Sequence, residues 1–249
     1  MPVLYGINAV MEALKADPAR VERVSIQRGL AGPRIQAIID LARHAGAPLV
    51  FEDRAWLDRK AGGGRHQGVI CHVSEAATMS AEEILRQASS PGLLLILDGV
   101  EDPQNLGATL RSAEVAGVDG VLIPQRRSAG LSASAVKASA GAATHVKVAR
   151  VSNTNQAIEL IKSSGYWVTG LSADAEKPIW EIDFLVSTAL VVGSEGSGLH
   201  RLVSEKCDFL ASIPLRGKVG SYNVSVAAGI ALYEVLRQRS RAAGARKEK

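Results

Sequence analysis

A chain of 249 residues that is 47% hydrophobic and 22% charged holds enough apolar material for one large core or two modest ones, which excludes the disordered and fibrous classes. Its two cysteines, Cys71 and Cys207, occur in unrelated segments without a CxxC spacing, which argues against a disulfide framework or zinc site and fits a reducing compartment. The net charge of +4 is local, because residues 237–249 (RQRSRAAGARKEK) carry six Lys or Arg against Glu248. That tail reads either as a phosphate-seeking appendage or as a solvated helix end whose cations favour the C-terminal dipole.

In chain order, the opening MPVLYGINAVMEALKADP carries Glu12 and no long apolar core, and no run approaches 18 apolar residues. Neither a signal peptide nor a membrane span is readable, and a cytoplasmic protein is expected. Residues 1–73 form a small α/β unit. A capping Asn8 starts a helix to Leu14, Val21–Ile26 is a strand, and Arg34–His44 has helical apolar spacing. A strand at Leu49–Phe51, a short helix near Arg54–Lys60 and a strand at Gly68–Val73 complete it. The polar connector Ser74–Pro91 includes a helical turn or two at Ala81–Ala88 and is broken by SSPG.

Residues 92–249 change pattern to short, wholly apolar strands alternating with helices. Strands are expected at Leu93–Leu97, Gly120–Ile123, Val146–Val148, Val168–Leu171, Leu190–Val192 and Leu210–Ile213, with helices around Leu106–Ala116, Asn155–Ser163 and Asn223–Gln238. Such runs suit a parallel sheet covered on both faces, with ligands at the carboxyl ends of its strands.

Three polar, glycine-bearing segments fall at or just after those strand ends. In Asp98–Arg111 (DGVEDPQNLGATLR), Asn105 can cap the following helix, and Arg111 lies six residues on, with a guanidinium suited to phosphate or a developing oxyanion. An N-cap followed by a solvent-facing arginine explains the segment equally well. Gly193–Leu199 (GSEGSGL) has the spacing GxxGxG in place of the dinucleotide fingerprint GxGxxG. Gly217-Lys218 is followed by Val219 where a phosphate-binding loop needs Ser or Thr. Both mismatches argue against an NAD or ATP enzyme and leave exposed backbone groups and Glu195, or an ordinary glycine turn. In Ile213–Gly229 (IPLRGKVGSYNVSVAAG), Asn223 can cap the last helix, Ser221 lies just outside it, and Ala227, Ala228 and Gly229 permit close packing. None of His44, His66, His72, His145 and His200 shows paired ligand spacing, so no metal is expected.

Taken together, DGxxDPxNxGxxxR, GxEGxG and IPxxGxxxSxNVSVA resemble the SpoU/TrmH branch of the SPOUT RNA ribose 2′-O-methyltransferases, and the resemblance extends over nearly the whole chain. YGINAVMEAL and RHQGV (Arg65–Val69) are similar to the small RNA-binding domain that precedes the members acting on a guanosine of 23S rRNA. The resemblance implies a C-terminal α/β domain with a deep trefoil knot at 92–249, an RNA-binding domain at 1–73 and a linker at 74–91. It further implies a homodimer and S-adenosylmethionine as methyl donor. Arg111 would be catalytic with Asn105 in support, and Glu195, Ser221 and Asn223 would complete the polar site. The donor would be held by main chain at Gly193, Ile213 and Tyr222, the last standing where the family has leucine, and Arg65 and His66 would contact RNA. Methylation of tRNA and a noncatalytic RNA-binding assembly factor of the same fold are the alternative readings.

Overall fold

A computed structural model describes residues 3–16, 18–73 and 79–247; residues 74–78 of the connector and 248–249 of the tail lie outside the described residues. The chain divides into two compact units, one of residues 1–77 with 131–137, the other of residues 78–130 with 138–249.

The first unit contains β1 (Val3–Tyr5), α1 (Ile7–Ala16), β2 (Val21–Gln27), α2 (Pro33–His44), β3 (Leu49–Glu52), α3 (Arg54–Ala61) and β4 (Val69–Val73). Its four strands are ordered β1-β4-β2-β3, with β2 and β3 parallel and β4 antiparallel to both its neighbours. All five residues of β4 are buried because both faces are covered. Val69, Cys71 and Val73 join Val10, Ile26 and Ile38 in the larger cluster, while Ile70 packs with Leu57 of α3. This is the two-residue period of a strand serving two layers. Asn8 is not the cap expected of it. It lies inside α1, where its Oδ1 accepts from Arg34, and the first helical amide, Ile7 N–H, donates to Gln67 Oε1 at 3.1 Å. The three-residue β1 carries too little pattern to be read in advance.

The second unit contains α4 (Ala81–Arg86), β5 (Leu93–Asp98), α5 (Pro103–Val115), β6 (Gly120–Pro124), β7 (Val148–Val151), α7 (Thr154–Ser163), β8 (Trp167–Leu171), β9 (Thr188–Gly193), α8 (Arg201–Lys206), β10 (Phe209–Ala211) and α9 (Val224–Lys247). The short α6 (Ala133–Ala138) falls between β6 and β7 in sequence. Six parallel strands are ordered β10-β8-β9-β5-β6-β7. The chain builds outward from β5 through β6 to β7 and then returns to the other side of β5, so the strand order reverses between β5 and β9. Their last residues, Asp98 and Gly193, are register partners. Ligand crevices form at such a reversal. Every residue of β5 and β9 is buried, as expected of strands covered on both faces.

Several strand ends shift from expectation, as β9 does in running over Thr188–Gly193, and at β7 and β10 the cause is visible. β7 begins at Val148, because the amides of His145 and Val146 still donate to Ala142 O of the preceding short turn. β10 ends at Ala211, because Ser212 N–H turns to Lys177 O and leaves the ladder with β8. Among the described residues no helix is long and apolar enough to cross a membrane.

Burial pushes the thiols of Cys71 and Cys207 up to about 12, with the Asp208 carboxylate adding to the effect at Cys207. At about pH 8 both are therefore almost wholly protonated, and only a thiolate alkylates readily. Iodoacetamide is expected to label neither cysteine in the native protein and both after denaturation. Rapid native labelling at either position contradicts its packing.

Candidate active site

The site is built where the switch between β5 and β9 meets the start of α9. After β5 the chain turns through Gly99, whose φ of +82° suits glycine, and enters α5 at Pro103. The cap of α5 is Asp102, not Asn105. Its carboxylate accepts from Gln104 N–H at 3.1 Å and Asn105 N–H at 3.3 Å. Asn105 sits one turn inside the helix with its side chain released for other work.

That work is a hydrogen-bond network joining three distant segments. Asn105 Nδ2 donates to Glu195 Oε1. Asn223 Nδ2 donates to Asn105 Oδ1 at 2.9 Å and to the same Glu195 oxygen at 3.2 Å. An ionised carboxylate only accepts, so both amides must turn their NH2 groups toward it, and this fixes where their carbonyl oxygens face. Asn223 Oδ1 is left to cap α9, accepting from Ser225 N–H at 2.9 Å and Ser225 Oγ–H at 2.6 Å, with a longer bond from Val226 N–H. Asn223 is thus both the expected cap and a member of the network. Glu195 Oε2 has no hydrogen-bond partner among the described residues, and Glu195 is exposed.

Asn223→Ala is expected to destabilise the protein by about 1–2 kcal/mol, from a lost cap and a lost partner for the buried Asn105. Asn223→Asp keeps the cap but removes both donors and sets a carboxylate against Glu195. Urea unfolding distinguishes the two effects: recovery of stability in the aspartate variant assigns the loss to the cap, and no recovery assigns it to the network.

Glu195 is held by a tight turn. Ser194 and Gly198 exchange both backbone hydrogen bonds, at 2.9 and 3.1 Å, and Gly196 and Gly198 take φ values of +86° and +67°. A Cβ on Gly193 would lie 2.1 Å from the Gly198 carbonyl carbon. The turn is then pinned to β5: Asp98, buried, accepts His200 N–H and faces His200 Nδ1, each at 2.9 Å from Oδ2. Beside it opens a cavity of about 520 Å³ whose lining includes Gly99, Glu101, Arg127, Glu195, Ser197 and His200. Asp98, Arg127 and His200 were not singled out as site residues in the sequence. Asp98 carried a signal in its place at a strand end and at the head of the DGxxDPxNxGxxxR motif.

The remaining expected site residues are placed differently. Arg111 is exposed on the third turn of α5 with no hydrogen bond or ion pair among the described residues. Ser221 is exposed and makes no hydrogen bond among the described residues. The phenol of Tyr222 donates to Pro214 O at 3.2 Å. From Ile213 to Tyr222 the loop's only hydrogen bond among the described residues is that phenol's bond to Pro214 O, so the peptide N–H and C=O groups of Ile213 and Tyr222 are unpaired. α9 packs directly on α5, where a Cβ on Gly229 would come within 3.7 Å of Ser112 Oγ and Ala228 is wholly buried. In the first unit, Arg65 is exposed, whereas His66 is buried with both ring nitrogens engaged. Its Nδ1 accepts from Gly68 N–H at 2.9 Å, so the proton is on Nε2, which donates to Asp58 at 2.8 Å. His66 therefore supports its loop, and Arg65 is the surface group there.

Comparison with known proteins is consistent across the chain. The profile described as the SpoU rRNA Methylase family matches residues 92–233, and that described as RNA 2′-O ribose methyltransferase substrate binding matches residues 3–79. The chain is 42% identical to the Pseudomonas aeruginosa 23S rRNA (guanosine-2′-O-)-methyltransferase RlmB, over 95% of this chain and 96% of that one. It is 40% identical to the Escherichia coli K12 protein of the same name, over 96% and 99%. Among solved structures, the SpoU methyltransferase AviRb from Streptomyces viridochromogenes superposes with a TM-score of 0.80 at 21% identity, covering 97% of this chain and 90% of that one.

Proposed function

The chain belongs to the SpoU rRNA methylase family, and from that premise we propose that it transfers a methyl group from S-adenosylmethionine to the ribose 2′-hydroxyl of a guanosine in 23S rRNA. The observation that carries this reading is the Asn105–Glu195–Asn223 network at the strand-order reversal, which gathers the three motif segments into one crevice. The substrate is that named for the relatives at about 40% identity over nearly their whole length. An AviRb structure is described in complex with AdoMet.

The residues present fit such a donor. The unpaired peptide groups of Ile213 and Tyr222 and the close backbone approach at Gly193 offer an adenine edge and a carboxylate the main-chain partners they require. Bound there, the donor supplies an electrophilic methyl on a sulfonium. The protein must align the ribose oxygen with that methyl and help the hydroxyl lose its proton. Asn105 and Asn223, locked by Glu195, hold the crevice in one geometry. Arg111, whose side chain has no hydrogen bond or ion pair among the described residues, clamps an RNA phosphate and stabilises the charge developing on the 2′-oxygen. A guanidinium is a poor proton acceptor. Ser221 is exposed in the same loop, next to Tyr222.

The first unit selects RNA, with Arg65 as a phosphate contact positioned by His66. Arg65→Glu is expected to weaken RNA binding about tenfold at low salt, to flatten its salt dependence and to leave donor affinity unchanged. Filter binding over a salt series checks this, and an unchanged salt slope removes Arg65 from the RNA surface. The protein acts in the cytoplasm as a homodimer. Exposed Val115, Val226 and Tyr233 on α5 and α9 support self-association, and the C-terminal strand, loop and helix form the trefoil knot of the family. Radiolabelled methyl transfer to purified 23S rRNA and to bulk tRNA tests the substrate: incorporation into rRNA alone is expected, and incorporation into tRNA alone assigns the activity to tRNA.

A further inference from the structure

The cavity beside Glu195 holds charges that the network and the caps leave unused. Asp98 is committed to His200, Asp102 to the first turn of α5, and Glu195 Oε1 to the two asparagines. Glu101, Glu195 Oε2 and the Arg127 guanidinium remain, each without a hydrogen bond or ion pair among the described residues. Glu101 and Arg127 line the same cavity yet do not pair with each other. Arg127 also adopts φ +53°, a conformation disfavoured for a residue with a Cβ. Its loop is tied to the β5–α5 turn by Ala129 N–H donating to Val100 O at 2.7 Å. Backbone held in this region and side chains left unsatisfied mark ligand clamps.

A free phosphate is a poor match, since the carboxylates repel it. The set suits an uncharged planar ligand with two acceptors on one edge and two donors on the next. Among the RNA bases guanine alone has that arrangement, O6 and N7 beside N1–H and the 2-amino group. Adenine would turn its N1 lone pair toward a carboxylate; cytosine pairs its N3 and O2 acceptors with a single donor group, the 4-amino, and uracil has no two adjacent acceptors for a bidentate guanidinium. We propose that this cavity is the pocket for the target guanine, with Arg127 donating to O6 and N7 and Glu101 accepting from N1–H and the 2-amino group. The volume, about 520 Å³, accommodates a base extruded from its stack. This assignment rests on the ribose-methylation reading and adds the residues that select the base.

The test uses RNA substrates carrying guanosine, 7-deazaguanosine or inosine at the methylated position, with the full-length wild type, Arg127→Ala and Glu101→Gln. Donor affinity serves as the check that each variant is folded. In the wild type, each analogue is expected to lower kcat/KM by roughly tenfold, the effect of losing one good base contact. Arg127→Ala should abolish the 7-deaza penalty and keep the inosine penalty, and Glu101→Gln should do the reverse. Variants that retain both penalties, or a wild type indifferent to both analogues, overturn the pocket assignment while ribose methylation stands. A wild type that transfers nothing to the guanosine substrate overturns the functional reading, and the pocket assignment with it.

Discussion

Arg111→Ala is expected to lower single-turnover methyl transfer by about 10²-fold or more while S-adenosylmethionine affinity stays within about twofold. The side chain makes no hydrogen bond or ion pair among the described residues, and Arg111 is exposed on α5. Its removal therefore takes away no hydrogen bond or ion pair among the described residues, and stability should hardly change. What is lost is a cation that meets RNA only when substrate arrives, so the effect belongs to transfer and not to the donor complex. Arg111→Lys should recover little, because an ammonium cannot supply the planar two-donor fork that engages two oxygens at once. Near-normal turnover in a folded alanine variant would remove Arg111 from the chemistry.

Gly193→Ala is expected to be the most destructive single methyl group in the C-terminal unit. The added carbon would lie 2.1 Å from the carbonyl carbon of Gly198 and 2.4 Å from Leu199 N, both main-chain atoms inside a turn closed by two reciprocal hydrogen bonds. A flexible side chain could swing away, but this backbone cannot without opening the turn. Overpacking in a well-packed interior costs about 1–3 kcal/mol, and contact with fixed backbone belongs at or above the upper end. Opening the turn would also displace Glu195 and uncouple Asn105 from Asn223, so donor binding should fail together with stability. A variant with wild-type unfolding and donor affinity would show that the turn relaxes freely.

The parallel sheet was legible because β5 and β9 are covered on both faces and so read as unbroken apolar runs. The helices α6 and α8 were not, since six residues give less than two helical turns in which to show a period; the equally short α4 was read only as a helical turn or two. The site was legible as three motif segments but not as a network. Asn105 was the expected cap of α5, and Asp102 caps it instead. Pro103, which is favoured at the first helical position, decides for Asp102 and frees Asn105 to reach Glu195. His66 was expected to contact RNA, whereas its buried ring is held by Asp58 and the Gly68 amide, an arrangement the local sequence does not show. Arg127 carried no sequence signal, because its left-handed backbone and its place on the cavity follow from the Val100–Ala129 bond between two loops.

The central claim is that the crevice joining Asn105, Glu195 and Asn223 methylates a ribose hydroxyl of guanosine. It is tested most directly by treating unmodified 23S rRNA with the full-length protein and S-adenosylmethionine and mapping the new methyl group by nuclease digestion and mass spectrometry. A single 2′-O-methylguanosine, resistant to alkaline cleavage of its 3′ phosphodiester, is the result predicted. A methyl group on a base, or no modified nucleotide at all, would contradict it.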